Sequence, residues 1–191
     1  MHINLEAGMR DLILFNAITL DGFFEGPGND LSWHRVDDEF NKFAWEQIRG
    51  VDAIMFGRKT YELMASYWPT PESAADDPVT AELMNIWPKI VFSRTLKDAA
   101  WNNTHLVNNA VDEVRRLKEH PGKPLIIFGS ANLSTSLMKA GLIDQFNLMV
   151  MPVVLGNGTP LFQGINSQLN LTLAGTRAFA NGNVLLTYRK S

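Results

Sequence analysis

The sequence predicts an α/β fold: a mainly parallel mixed sheet with helices on both faces and an antiparallel hairpin at its C-terminal end. Two observations carry this expectation. Apolar runs of strand length alternate with helix-spaced patterns up to residue 140, which calls for a parallel sheet covered by helices. Beyond Gln145 only strand-like runs remain, and the last two are joined by Asn181-Gly182, the strongest short hairpin signal.

The first strand is expected over 11–19, a nearly continuous apolar run, followed by a glycine-rich loop at Asp21-Gly22 and Gly26-Pro27-Gly28. Over 37–49, Phe40, Phe43, Ala44, Trp45 and Ile48 recur at helical spacing, with Asp37, Asp38 and Glu39 at the end where the helix dipole favours acids. Residues 52–56 read as a short buried strand, 58–66 as a helix and 70–78 as a polar, proline-rich loop. A helix over 79–87 leads to a strand over 89–93, and a weaker strand is expected near 105–107. Residues 111–119 read as an exposed amphipathic helix stopped by Pro121-Gly122, 125–128 as a strand, and 132–140 as a helix closed by Gly141. The closing strands are expected over 145–154, over 169–174, and in the two runs flanking Asn181-Gly182. Trp68 and Trp87 are expected either between helices or on a subunit surface.

Composition narrows the function classes. With 191 residues, 46% of them hydrophobic and 19% charged, the chain can build one core without a metal or disulfide staple. Residues 9–191 read as a single domain, and residues 1–8 as a disordered or non-native extension, because the strand pattern starts just after Met9. A net charge of −3 gives no overall field for nucleic acid or an anionic membrane, so an anion must be held by a local site. Zero cysteines exclude a thiol nucleophile and a cysteine-ligated metal, and fit a reducing cytoplasm. His2, His34, His105 and His120 show no metal-ligand spacing, and no run reaches the roughly 18 apolar residues needed to cross a bilayer.

Ligands of parallel sheets bind at the carboxyl ends of the strands, so the residues there are the informative ones. One strand runs into Gly57-Arg58-Lys59-Thr60 and a helix: a glycine for close backbone approach, free N–H groups for an anion, two cations and a hydroxyl. A second ends in Ser93-Arg94-Thr95, a fork donor between hydroxyls, suited to a phosphate monoester. A third ends in Gly129-Ser130-Ala131-Asn132 at a helix start, suited to a pyrophosphate. Together they predict a cradle for one extended phosphorylated dinucleotide. No GxGxxG follows the first strand and no GxxxxGK[ST] occurs, which disfavours a Rossmann dehydrogenase and a P-loop enzyme.

These residues also carry a resemblance. Residues 54–62 (IMFGRKTYE) resemble the strand–Gly-Arg-x-Thr-aromatic-Glu–helix signature of dihydrofolate reductases. The opening LFNAITLDGF (14–23) and the stretch MPVVLGNGTPLF (151–162) are similar to the relatives that include the C-terminal reductase domain of the bifunctional riboflavin-biosynthesis deaminase/reductase. The resemblance runs from about Met9 to the end and implies a dihydrofolate-reductase-like three-layer sandwich with NADPH as cofactor. It further implies that Gly57, Arg58, Lys59 and Thr60 approach the cofactor phosphates, that Ser93 and Arg94 meet the adenosine 2′-phosphate, and that Gly129, Ser130, Ala131, Asn132 and Leu133 hold the pyrophosphate. Ala17 and Ile18 would meet the nicotinamide beneath a covering loop over 20–24. The substrate implied is a pteridine- or pyrimidine-like heterocycle, reduced as in riboflavin biosynthesis or dihydrofolate reduction.

Bacterial-type dihydrofolate reductases place a carboxylate on the first helix; counting back from Gly57 reaches Asn41 here, and aligning Ala44-Trp45 gives Lys42. Asp21 is the candidate catalytic residue, able to polarise substrate, to carry a proton or simply to cap its turn with Gly22. Phe23, Phe24 and Trp33 are candidate stacking surfaces for a flat substrate. A catalytically silent NADP(H)-binding module is the alternative to an NADPH-dependent oxidoreductase. Apolar late strands carrying Met149, Val150, Met151, Val153 and Val154, which the riboflavin branch uses to pair subunits, predict a homodimer.

Overall fold

The computed structural model describes residues 10–191; the expected extension over 1–8 lies outside the described residues. In chain order the first elements are β1 (Leu12–Thr19), β2 (Phe23–Glu25), α1 (Asp38–Arg49), β3 (Ala53–Gly57), α2 (Arg58–Tyr67), α3 (Pro71–Asp76) and α4 (Pro78–Ile86). There follow β4 (Lys89–Phe92), β5 (Thr104–Val107), α5 (Ala110–Lys118), β6 (Leu125–Phe128) and α6 (Ala131–Lys139). The chain closes with β7 (Gln145–Met151), β8 (Thr159–Pro160), β9 (Leu171–Ala178) and β10 (Val184–Lys190).

Eight strands form one sheet in the order β5-β4-β3-β6-β1-β7-β10-β9, parallel up to β7 and antiparallel through β10. Central strands covered on both faces need apolar residues at consecutive positions, and in β3 all five residues are buried. Alternate side chains feed opposite layers. Leu12, Leu14, Met55, Leu125 and Ile127 meet Val114 of α5 and Leu133 and Leu137 of α6. Ile54, Phe56, Val91 and Ile126 meet Ile48 of α1, Tyr61 of α2 and Leu83 and Met84 of α4. Each fully buried side chain of this size stabilises the fold by about 1.5–3 kcal/mol.

The direction of travel fixes which face each helix takes. Crossovers between parallel strands are right-handed, so helices laid while the chain steps one way along the sheet lie on one face and those laid on the return lie on the other. The chain walks from β1 through β3 to β4 and β5, then returns to insert β6 between β3 and β1. Adjacent strands β3 and β6 therefore send their helices, α2 and α6, to opposite faces, which opens a crevice at their carboxyl ends.

Several expectations are corrected. The stretch 70–78 is not a loop throughout: Thr70 accepts the Ser73 N–H, Pro71 opens the helix with its preset φ, and α3 forms. The strand expected over 145–154 stops at Met151, before Pro152, which has no N–H to give a ladder. The two runs expected over 169–174 and before Asn181 are one strand, β9, continuous through Gly175 because β10 pairs it along its length. The loop expected over 20–24 carries β2, which pairs with β8 in a separate two-stranded ladder. Trp68 and Trp87 pack against the α1/α2/α4 core, Trp87 donating its indole N–H to Val51 O at 3.0 Å.

Among the described residues one basic side chain, Lys89, lies in the core. Lys89 is 1% exposed; its ammonium donates to the carbonyls of Met84 and Trp87, each at 2.7 Å, at the negative end of the α4 dipole, and lies 4.5 Å from the Trp101 ring centroid. Burial lowers its pKa from the ordinary 10.5 to about 8. Between these values the unfolded chain still holds the proton that the folded one has released, so raising the pH favours the folded state. From pH 7.5 to 9.5 the Tm of the natural protein is expected to rise relative to that of Lys89→Met; parallel curves for the two would contradict it.

Candidate functional site

The crevice at the carboxyl ends of β3, β4, β5 and β6 is a cleft of about 1050 Å³. Its lining includes Gly57, Arg58, Lys59 and Thr60 from the β3–α2 turn, Ser93, Arg94 and Thr95 after β4, and Ser130, Ala131, Asn132 and Leu133 at the start of α6. Three segments separated along the chain thus converge on one cleft, where Leu133 is 7% exposed and belongs equally to the core.

Local chemistry explains the site. The helices α1, α3, α4 and α5 each begin on a side-chain cap: Asp37, Thr70, Asp77 and Asn109 accept N–H groups of their first turns. In α2 and α6 the N-cap residues are Gly57 and Ser130, and neither provides a side-chain cap. Their first-turn N–H groups and positive dipole ends face the cleft. Gly129 and Ser130 have φ of +67° and +69°, a left-handed pair followed by α6, a backbone form whose successive N–H groups can make a concavity suited to an anion. Space at Gly57 is tight: a Cβ there would lie 1.9 Å from Ser130 Oγ and 3.1 Å from Ser130 Cβ. A Cβ on Gly129 would lie 3.2 Å from Thr60 Cγ2, so the two turns are packed tightly together.

Charge in the cleft is mainly positive. Arg58 is engaged with Glu62 on its own helix at 2.9 Å, whereas Lys59 and Arg94 have no ion-pair partner among the described residues. The Ser93 hydroxyl accepts the N–H groups of Thr95 (3.1 Å) and Leu96 (2.9 Å), shaping the turn that presents Arg94. Among the described residues Glu25 is the sole acid of the lining, and its carboxylate accepts the Thr159 hydroxyl at 2.8 Å.

Other expected residues fall outside the lining. Ala17 and Ile18 end the central strand β1, Ile18 facing the α5/α6 core and Ala17 facing a cluster with Phe43, Met149, Met151, Phe179 and Leu185. Gly129 lies behind Ser130. Phe24 lines the cleft, while Phe23 packs beside Gly158 in the β2–β8 ladder. Trp33 packs against the Phe43 cluster with its indole N–H on Asp30 O at 3.1 Å, so its ring serves the core. Asp21 also lies outside: its carboxylate accepts Gly156 N–H at 2.7 Å and Leu155 N–H at 3.3 Å. Thr19 hydroxyl, the largest cause, and these amides hold its pKa below the ordinary carboxylate value. Two acids at the start of the first helix are engaged likewise, Asp37 on the α1 cap and Glu39 on Arg177 (3.0 Å) and Ala180 N–H (2.9 Å).

Sequence reasoning missed Asn108, Asn109, Ala110 and Val111 at the start of α5, and Glu25, Thr159 and Gln163 from the ladder side. The first four follow a strand end, the signal used elsewhere, but β5 is short and poorly apolar. A second cavity, of about 590 Å³, lies at the opposite strand ends beside Lys89, Trp101, His105 and Glu113. Among the described residues no cluster of His, Asp or Glu is arranged to hold a metal, and no helix is long and apolar enough to cross a membrane.

The RibD C-terminal domain family matches residues 10–185. Uncharacterized protein YyaP of Bacillus subtilis (strain 168) is 36% identical over 181 residues, 94% of each chain, and YwjB of the same organism is 29% identical over 174 residues. A riboflavin biosynthesis protein from Shewanella sp. PV-4 superposes with a TM-score of 0.72 at 23% identity, covering 95% of this chain and 99% of that one. The Thermotoga maritima diaminohydroxyphosphoribosylaminopyrimidine deaminase/5-amino-6-(5-phosphoribosylamino)uracil reductase gives 0.68 at 16% identity, over 96% of this chain and 57% of that one. A dihydrofolate reductase from Enterococcus faecalis, complexed with NADP(H), gives 0.64 at 16% identity over 96% of this chain and 98% of that one. The fold is therefore dihydrofolate-reductase-like, and the chain belongs to the RibD C-terminal domain family.

Proposed function

We propose that the protein is an NADPH-dependent reductase that delivers hydride to a pteridine- or pyrimidine-like heterocycle. The observation that carries this reading is the pairing of α2 and α6: of the three helices whose first turns line the cleft, α5 is capped by Asn109, while these two have no side-chain cap and stand beside Arg58, Lys59 and Arg94. Donors and cations brought together in this way fit a polyanion.

NADPH would supply the hydride, and the chain would supply placement and electrostatics. The N–H groups at Lys59, Thr60, Ala131 and Asn132 and the Lys59 ammonium would hold the pyrophosphate. Arg94, presented by the Ser93 turn, would grip the 2′-phosphate, and Asn108 to Val111 would wall the adenine. Phe24 and Leu133 offer apolar surface on the way to Ile18 at the end of β1. Met149 and Met151 are fully buried between β1 and β10 and leave no face to share, so we extend the reading to a homodimer joined through the edge of β9, a strand with one charge and with Leu173 54% exposed.

Thermal unfolding with NADPH, NADH or neither tests the reading, followed by a heterocycle screen for nicotinamide oxidation and light scattering on the same samples. NADPH at about 100 Kd is expected to raise the Tm by about 5–10 °C, NADH by less. Oxidation with at least one heterocycle and a mass of two chains are also expected. Binding without oxidation would favour the silent module, and no shift with either nucleotide would overturn the cofactor reading.

A further inference from the structure

Two loops meet above the carboxyl edge of the sheet. The chain leaving β1 turns at Asp21-Gly22 into β2, and the chain leaving β7 returns as β8. Phe23 pairs with Pro160 and Glu25 with Thr159, and Leu161 donates to Gly22 O at 3.1 Å. The underside of this flap contributes Phe24, Glu25 and Thr159 to the cleft. A ladder this short has little stability of its own.

Its base is joined by one backbone bond, Leu20 N–H to Val153 O at 2.9 Å, and by one side chain that reaches across. Asp21 Oδ2 accepts Gly156 N–H at 2.7 Å, and Oδ1 accepts Leu155 N–H at 3.3 Å and the Thr19 hydroxyl at 2.5 Å. The same Thr19 oxygen accepts Phe23 N–H at 3.0 Å, so one carboxylate and one hydroxyl join both loops. Three donors occupy the carboxylate, which is absent from the cleft lining.

We propose that Asp21 is a positioning residue, a latch whose carboxylate clamps the flap over the cleft and thereby sets how fast a dinucleotide enters and leaves. The dinucleotide part rests on the NADPH reading; the clamp does not. The latch requires no proton transfer from Asp21, only its acceptor atoms.

Hydrogen exchange on the full chain without nucleotide, and stopped-flow NADPH binding, are compared for the natural protein, Asp21→Ala, Asp21→Asn and Thr19→Val. Asp21→Ala is expected to speed exchange at Phe23, Gly156 and Leu161 by about tenfold or more while Ile54 and Ile126 keep their protection. NADPH association and dissociation should both quicken, and KM for NADPH should change more than kcat. Thr19→Val should act in the same direction to a smaller extent, and with Asp21→Asn it carries the test if the alanine variant does not fold. Unchanged flap exchange in all three variants overturns the latch. So does a loss of turnover with flap exchange and NADPH release unaltered, since that is the behaviour of an acid touching the reacting atoms. Faster flap exchange in a protein that never binds NADPH upholds the clamp and overturns NADPH as its ligand.

Discussion

Gly57→Ala is expected to destabilise the protein by about 1–3 kcal/mol and to weaken NADPH binding by roughly 10- to 100-fold. The added Cβ would lie 1.9 Å from Ser130 Oγ and 3.1 Å from Ser130 Cβ. Gly57 cannot retreat, because its backbone is registered against Phe92 of β4. Ser130 Oγ can rotate aside, but the close contact with Ser130 Cβ remains, so the start of α6 must shift by a few tenths of an ångström, and with it the N–H groups aimed into the cleft. Ser130→Gly removes both obstructing atoms and relieves a left-handed residue at φ +69°, so the double variant should recover most of the loss. A double-mutant cycle by denaturant unfolding and NADPH titration measures this as a coupling of about 1 kcal/mol or more. Independent, additive losses would show that the contact with Ser130 is not the cause.

Arg94→Glu is expected to weaken NADPH by roughly a hundredfold, about 3 kcal/mol, and NADH by only a few-fold. The arginine is exposed at the cleft without an ion-pair partner among the described residues, so reversal breaks no structural pair and the Tm without nucleotide should hold. What changes is the sign of charge where a 2′-phosphate would lie, and the discrimination should shrink as salt is raised. Parallel titrations at two ionic strengths check this; equal losses for both nucleotides would detach Arg94 from the 2′-phosphate.

Much of the architecture is legible in local sequence because buried parallel strands advertise themselves as apolar runs, as in Ile54-Met55-Phe56 and Leu125-Ile126-Ile127. The three strand-end turns were legible for a related reason: glycine, hydroxyl and arginine at a strand–helix junction carry chemistry in themselves. The flap was not. Its pairing of Phe23 with Pro160 joins distant segments, and a two-residue strand containing a proline shows no period. The role of Asp21 was open for the same reason, since its partners Leu155 and Gly156 lie 134 and 135 positions away. Trp33 reads as a stacking surface because its loop sequence does not show that it packs against the Phe43 cluster. The 70–78 stretch misled in the opposite way: few apolar residues and two prolines suggested a loop, yet both prolines stand at helix starts where they are welcome.

The insertion of β6 between β3 and β1 bears on how the chain is made. Leu12 pairs with Leu125, and Ile13 with both Ile126 and Gln145, so the innermost seams of the sheet join its first strand in chain order to late ones. While residues before 125 emerge from the ribosome, β1 and β3 each lack the neighbour between them, and their greasy flanks are open to misassembly with other nascent chains. Contacts of such long sequence separation close slowly. Maturation is therefore expected to wait until β6 has been made, the central slot staying vacant until this late strand threads into it.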